Sequence, residues 1–293
     1  NLPGRNGIEI WNSDSLLVDS NYFYRTDVNN VYNTQALRII QPRNYFKIIR
    51  NYINGTFETG IDIGIKNGNH ITGSSIENNI VIGSTLSHGG IGSSCDSVSY
   101  FYNTVFMPTT FFNYACITPA SKSVVKNNIF VSNGSKLMNI GNPVDIISDY
   151  NVLYSPATNL LTYYTYTTAS TTTVTSFSTY TTNTGLDTHS TFADPQFVNT
   201  LNDLHYQNHL LDGKAIPIAS VLIDQQNKPR HLSTPIPGAY EAPPDTTIDN
   251  VNKYLSLKSI QTSTLVVGAN NAITASVFYT FPLNTDTNVY KYR

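Results

Sequence analysis

Six histidines, 19 acidic residues and 17 Lys plus Arg are what this 293-residue chain holds for acid–base or metal chemistry. The early carboxylates stand apart: Glu9, Asp14, Asp19, Asp27, Glu58, Asp62, Glu77 and Asp96, with no Asp-Asp or Asp-x-Asp pair. Hydrolysis of a glycosidic bond needs two carboxylates about 5 to 9.5 Å apart. Elimination on a uronate polymer needs a base, with a cation to neutralise the sugar carboxylate. Asp62 with Lys66 and His70 is the best local cluster for either; a solvated face is the plainer account of it. His189 near Asp187 and His205 near Asp203 suggest a metal, yet no third ligand recurs at metal-site spacing. Turn and capping hydrogen bonds explain them better, and His88 before Gly89-Gly90 reads as a turn residue. No phosphate loop, nucleophile elbow, CxxC or zinc motif occurs. The sequence therefore assigns no catalytic residue, no metal and no cofactor.

The elements that position these groups repeat. An Asn followed two residues later by an apolar residue recurs at Asn21, Asn51, Asn78, Asn103, Asn127 and Asn151, every 24 to 30 residues. Such a period marks a solenoid, whose units cannot bury their apolar faces alone. Around each anchor, period-two alternation describes strands with one wet and one dry face. Two positions before the anchor is expected inward (Ile49, Ile76, Phe101, Val125), and two after is apolar throughout (Phe23, Ile53, Ile80, Val105, Ile129, Leu153). An upstream strand repeats too, placing Glu9, Arg38 and Asp62 on successive rungs about 4.8 Å apart as an ion-pair ladder.

Exposed aromatics are the more informative feature. One position after the anchor is outward and carries Tyr22 and Tyr52; three after carries Tyr24, Phe106, Phe130 and Tyr154. Tyr22, Tyr24, Tyr52, Phe106 and Phe130 are thus the candidate ligand-binding residues, since flat aromatic faces suit sugar rings or a partner protein. The competing account is that stacked rings only stabilise neighbouring rungs, or lie under a loop.

Composition agrees with a β-rich chain. Only 12% of residues are charged while 40% are hydrophobic, with 20 Tyr and one Trp. A formal charge of −2 gives no electrostatic case for nucleic acid or an anionic membrane, and no apolar stretch reaches membrane-span length. Starting at Asn1-Leu2-Pro3-Gly4, the chain reads as a processed piece of a longer polypeptide. Cys95 and Cys116 fall three residues out of rung register, about 10 Å along a strand, which favours two unpaired thiols.

Two or three strands per coil, joined by Asn/Gly/Ser turns, resemble the right-handed parallel β-helix, in which stacked asparagines form an amide ladder. The later phrases strengthen this: Gly185-Leu186-Asp187-Thr188-His189-Ser190, Asp194-Pro195-Gln196-Phe197, Asp203-Leu204-His205, Leu222-Ile223-Asp224, Pro229-Arg230 and Gly238-Ala239-Tyr240-Glu241. In this order they resemble the closing segment of a large family of bacterial secreted β-helix proteins. Ala219-Ser220-Val221 and Pro235-Ile236-Pro237 depart from that pattern at turn-like positions. The resemblance implies an all-β chain: a pectate-lyase-like parallel β-helix over 1–243, on the order of 45 Å long. It includes a closing segment at 185–241 and a Thr/Ser/Tyr-rich excursion at 155–190.

Residues 244–252 read as a Pro-bearing linker, and the alternation of 253–293 resembles the opening strands of an Ig-like β-sandwich. Asp14-Ser15-Leu16, Asp96-Ser97-Val98 and Asp245-Thr246-Thr247 resemble short O-glycosylation signals of Bacteroidota-type bacteria, with Ser15, Ser97 and Thr246 as acceptors. Together these resemblances imply a secreted or cell-surface module similar to adhesins and type IX secretion cargo. The expected role is structural or adhesive, with glycans or other surface proteins as partners. The alternative is a polysaccharide lyase or hydrolase working in a groove of the β-helix; an inert spacer is a third reading.

Overall fold

The computed structural model describes residues 6–26, 34–43, 45–64, 72–83, 89–108, 115–134, 136–156, 161–165, 170–241, 276–278 and 289–291. Six successive triads of short strands build a parallel β-solenoid. The first is β1 (Ile8–Trp11), β2 (Leu16–Asp19) and β3 (Tyr22–Arg25); the second β4 (Gln35–Ile40), β5 (Phe46–Ile49) and β6 (Tyr52–Gly55). Then come β7 (Thr59–Gly64), β8 (Ser75–Glu77) and β9 (Ile80–Gly83), and β10 (Gly89–Ser93), β11 (Ser99–Phe101) and β12 (Thr104–Met107). The last two are β13 (Ala115–Thr118), β14 (Val124–Lys126) and β15 (Ile129–Ser132), and β16 (Lys136–Ile140), β17 (Ile147–Asp149) and β18 (Val152–Tyr154). Equivalent strands pair in parallel, giving three long sheets that begin at β1, β2 and β3.

The inward columns explain the fold. Leu37, Ile39, Ile61, Ile63 and Ile117 fill the first sheet's inner face; Ile48, Ile76, Tyr100 and Val125 the second's; Ile53, Val81, Val105, Phe130 and Leu153 the third's. All join one core. Where the first sheet meets the third the walls approach so closely that a Cβ on Gly90 would lie 2.4 Å from Val105 and 2.6 Å from a carbonyl. This corner accepts only small residues in the middle coils. Cys95 and Cys116 are both buried and free.

Strict alternation fails at one recurring place. Ser20, Arg50, Asn78, Tyr102, Asn127 and Tyr150, one per coil, have φ between 55° and 62°. A left-handed residue between the second and third strands turns the chain and resets which side chains face inward. The strand ladder runs on through the bend, with Ser20 N–H donating to Ile49 O, Arg50 N–H to Glu77 O and Asn78 N–H to Phe101 O. Two expectations are therefore corrected. In the second sheet the inward position lies three before the anchor, not two, so Ile49 and Phe101 are only half-buried while Ile48 and Tyr100 are fully buried. In the Asn-Asn coils the first Asn occupies the left-handed bend, and Asn79 and Asn128 take the anchor place expected of Asn78 and Asn127.

The third sheet is apolar on both faces. Outward Ile80, Ile82, Phe106, Ile129, Val131 and Val152 form a second core with Leu204, Leu211, Ala239 and Tyr240 of the closing segment. The stretch 155–190 is more than an excursion. β19 (Leu161–Thr165) adds a parallel rung beside β16, β20 (Ser170–Val174) pairs antiparallel to it, and helix α1 (Phe177–Thr184) follows. Ser176 caps α1 through the Thr179 N–H, and Gly185 at φ 71° ends it. β21 (Thr191–Phe192) then rejoins the third sheet, and β22 (Phe197–Asn199) pairs antiparallel with β23 (Asp203–Tyr206).

Residues Asn1–Glu241 form one compact unit and Ala242–Arg293 another. In the second, β24 (Ser276–Phe278) pairs antiparallel with β25 (Val289–Lys291). The expected linker and most of the expected Ig-like module lie outside the described residues, as does Thr246. No helix among the described residues is long and apolar enough to cross a membrane.

Candidate functional site: the aromatic face of the first coils

An amide ladder fixes the third sheet and everything on its outer surface. Asn21 Nδ2 donates to Asn51 Oδ1 (3.0 Å), Asn51 to Asn79 (2.9 Å), and Asn79 to Asn103, Asn103 to Asn128 and Asn128 to Asn151 (3.0 Å each). Each Oδ1 also accepts the backbone N–H of the preceding Asn, from 2.8 to 3.0 Å. From Asn51 onward, Nδ2 also donates to a carbonyl of the preceding coil, Val18, Ile48, Ile76, Tyr100 and Val125 in turn. Asn51, Asn79, Asn103, Asn128 and Asn151 are buried yet satisfied, which is what such polar groups require. The ladder ends at Asp187 Oδ1, 2.9 Å from Asn151 Nδ2.

The five candidate aromatics separate on this frame. Tyr22, Tyr24 and Tyr52 project outward, with Tyr22 67% and Tyr24 61% exposed. The rings of Tyr22 and Tyr52 stack at 5.1 Å and 7°, and Tyr24 lies 6.3 Å from Tyr22. A pocket of about 300 Å³ opens beside Tyr22, Phe23 and Tyr24. Tyr52 is half-covered: its hydroxyl donates to Asn202 O at 2.7 Å, and Asn54 Nδ2 reaches Leu201 O. Phe106 is outward as expected but buried against Phe197, edge to face at 6.0 Å. Phe130 is corrected outright: counted from Asn128 it is an inward residue, fully buried in the main core.

The charged groups nearby are paired. Arg50 grips Asp19 with two N–H groups and holds its carboxyl below the ordinary range; Arg38 Nε lies 3.4 Å from Asp62. Glu9 is in register with Arg38 but accepts from Asn6 and Trp11. His189 Nδ1 meets Asp149 at 2.7 Å and its ring stacks on Tyr150. His205 meets Asp203 at 2.5 Å and lies flat on Tyr240, centroids 3.6 Å apart. No group of three or more His, Cys, Asp or Glu among the described residues could hold a metal. Ser15 is exposed at φ 51° and Ser97 half-buried at φ 61°, each in the turn before a second-sheet strand.

Sequence reasoning gave no role to the buried polar cluster that fastens the closing segment. Arg230 contacts Glu241 at 3.1 Å, Asn78 Oδ1 at 2.5 Å and Gly238 O at 2.9 Å, with its guanidinium 3.7 Å over the Tyr102 ring. Burial pushes Glu241 up to about 7. The left-handed bends form the rail it grips. Asn78 Nδ2 donates to Ile223 O, Tyr102 Oη to Ile216 O, and Asn127 exchanges hydrogen bonds with Ile216 while its carbonyl takes the Gly238 N–H. The signal was present in Pro229-Arg230 and Ala239-Tyr240-Glu241, though only the fold reveals their partners. Comparison with protein families, with curated proteins and with solved structures finds no match to this chain.

Proposed function

We propose that this chain is a secreted or cell-surface structural and adhesive module, a stiff solenoid that binds a glycan on the tyrosines of its first coils. The observation that carries the reading is the unequal cover of one sheet face. From the third coil to the sixth its apolar side chains lie under the closing segment, whereas Tyr22 and Tyr24 remain more than half exposed. Aromatic rings with polar hydroxyls suit the C–H faces and hydroxyls of sugars. The low charge, the tyrosine-rich surface and the resemblance to bacterial surface β-helix proteins support the same reading.

A glycan array followed by calorimetry tests it. Tyr22→Ala and Tyr24→Ala should each weaken binding about three- to tenfold, while Phe197→Ala should act only on stability. A blank array, or affinity unchanged in the double variant, would overturn it. Depolymerisation of uronate-rich or neutral polysaccharide by the intact chain would replace it with the lyase or hydrolase reading.

A further inference from the structure

An Asn followed by a Gly is a pair whose own atoms can react. The glycine amide nitrogen attacks the side-chain carbonyl carbon of the asparagine, a new C–N bond forms, and ammonia leaves. Water then opens the cyclic imide at either carbonyl, giving aspartate or isoaspartate. The net exchange is water in and ammonia out, with no oxidant or reductant. Glycine suits the step because no Cβ shields the attacking nitrogen. A folded chain suppresses it wherever hydrogen bonds hold the amide and the glycine in place, since the pair must first open locally.

The pair occurs four times, at Asn6-Gly7, Asn54-Gly55, Asn67-Gly68 and Asn133-Gly134. The third lies outside the described residues. The first is pinned: Asn6 Oδ1 accepts the Gln35 N–H at 3.0 Å, its Nδ2 donates to Glu9, and the Gly7 N–H donates to Gln35 O at 2.9 Å. The second is pinned too. Both of its residues belong to β6, Gly55 is buried in register with Arg25 and Gly83, and Asn54 Nδ2 donates to Leu201 O at 2.7 Å. The last differs. Asn133 stands just past the end of β15, exposed, and no hydrogen bond holds its side chain among the described residues. Its backbone N–H is fixed to Met107 O at 3.0 Å, whereas the Gly134 N–H reaches only Ser132 Oγ, at 3.4 Å.

We propose that Asn133 is a site of spontaneous deamidation, a modification that the fold permits at this turn and withholds at Asn6 and Asn54. The product carries a negative charge in the connection between β15 and β16, which belong to different sheets. Its isoaspartyl form also adds a methylene to the backbone there. Asn133 takes no part in the amide ladder or the Arg230 cluster, so the fold survives the change. The site is independent of the proposed glycan contact, which uses Tyr22 and Tyr24.

Incubation of the whole protein at mildly alkaline pH, followed by mass spectrometry of its tryptic peptides, tests this. Peptide 127–136 should gain the mass difference between an amide and a carboxyl group, and fragmentation should place it on Asn133 rather than Asn127 or Asn128. In the folded protein this conversion should run at least about tenfold faster than those of Asn6 in peptide 6–25 and Asn54 in peptide 51–66. In urea the three rates should converge. Gly134→Ala, whose methyl crowds the attacking nitrogen, should slow the folded-state conversion severalfold. Equal native rates at the three pairs overturn the inference. So does a difference that persists in urea, which would trace to local sequence and not to the fold. A conversion of Asn133 untouched by Gly134→Ala would show that the glycine nitrogen is not the nucleophile, and overturns it as well.

Discussion

The last and the first described coils treat the same amide ladder differently. At the last coil the amide ladder meets Asp187, a fully buried carboxylate that accepts from Asn151 Nδ2, Ser190 Oγ (2.6 Å) and Tyr180 Oη (3.1 Å). A carboxylate has acceptors and no donor, so it can end a chain of amides that run donor to acceptor, and nothing beyond it is left wanting. Around it α1 brings Tyr180 over the core, while β20 turns back antiparallel and occupies the edge of the first sheet. Among the described residues the first coil has no equivalent. Phe23 and Val18 keep 8% and 5% exposure where Ile53 and Ile48 have none. The ladder is directional, and one carboxylate closes it after Asn151.

Four measurements would break or sharpen this contrast. The largest effect is expected inside the covered region: Phe130→Ala should cost about 3–5 kcal/mol in urea unfolding, while Phe23→Ala in the first coil, at a less completely buried position, should cost clearly less. Equal losses would mean that the first coil is as well packed as the fifth. Next comes Asp187→Ala, which takes one acceptor from Asn151 Nδ2 and the interior partner from the Tyr180 hydroxyl and should cost about 2–3 kcal/mol. A loss below about 1 kcal/mol would show that water replaces the carboxylate.

The ladder itself gives a graded comparison. Asn103→Ala should cost about 2–3 kcal/mol, and Asn21→Ala, at a half-exposed position, under about 1 kcal/mol. Reversal of that order would sink the directional account. The smallest effect concerns the clasp of the closing segment. Burial raises Glu241 from 4.5 to about 7, so between those pH values the folded chain holds a proton that the unfolded chain has released. Stability should therefore fall as pH rises from about 4.5 through 7 and level off above, with Glu241→Gln flattening that slope. Thermal melts at pH 5 and pH 8 read it directly; a wild-type slope that survives the substitution would assign it elsewhere, with Asp187, also raised by burial, as the first suspect.

Much of this architecture was legible before any coordinate. The period, the parallel rungs and the register of Glu9, Arg38 and Asp62 all follow from apolar spacing. The ladder was legible to within one residue. What hid the rest was a single backbone state: a left-handed bend occupied by Ser, Arg, Asn and Tyr has no composition signature, unlike one that demands Gly. Hence Asn78 could not be told from Asn79, and Phe130 was placed on the wrong face. The cover over Phe106 was illegible for a different reason, since Phe197 lies far along the chain and reaches it only through the path of the closing segment. Helix α1 hides in a Thr/Ser-rich stretch of poor helical propensity, held by its Ser176 cap and the burial of Tyr180.

The fastening of the closing segment along the bends has a mechanical consequence. Rungs that touch only their neighbours can peel off one at a time, like tape from a roll. Here Arg50 holds Asn227, Asn78 holds Ile223 and Arg230, and Tyr102 and Asn127 hold Ile216. A load that would strip the second to fifth coils in sequence must instead shear several of these ties at once, so the segment acts as a splint and converts unzipping into fracture.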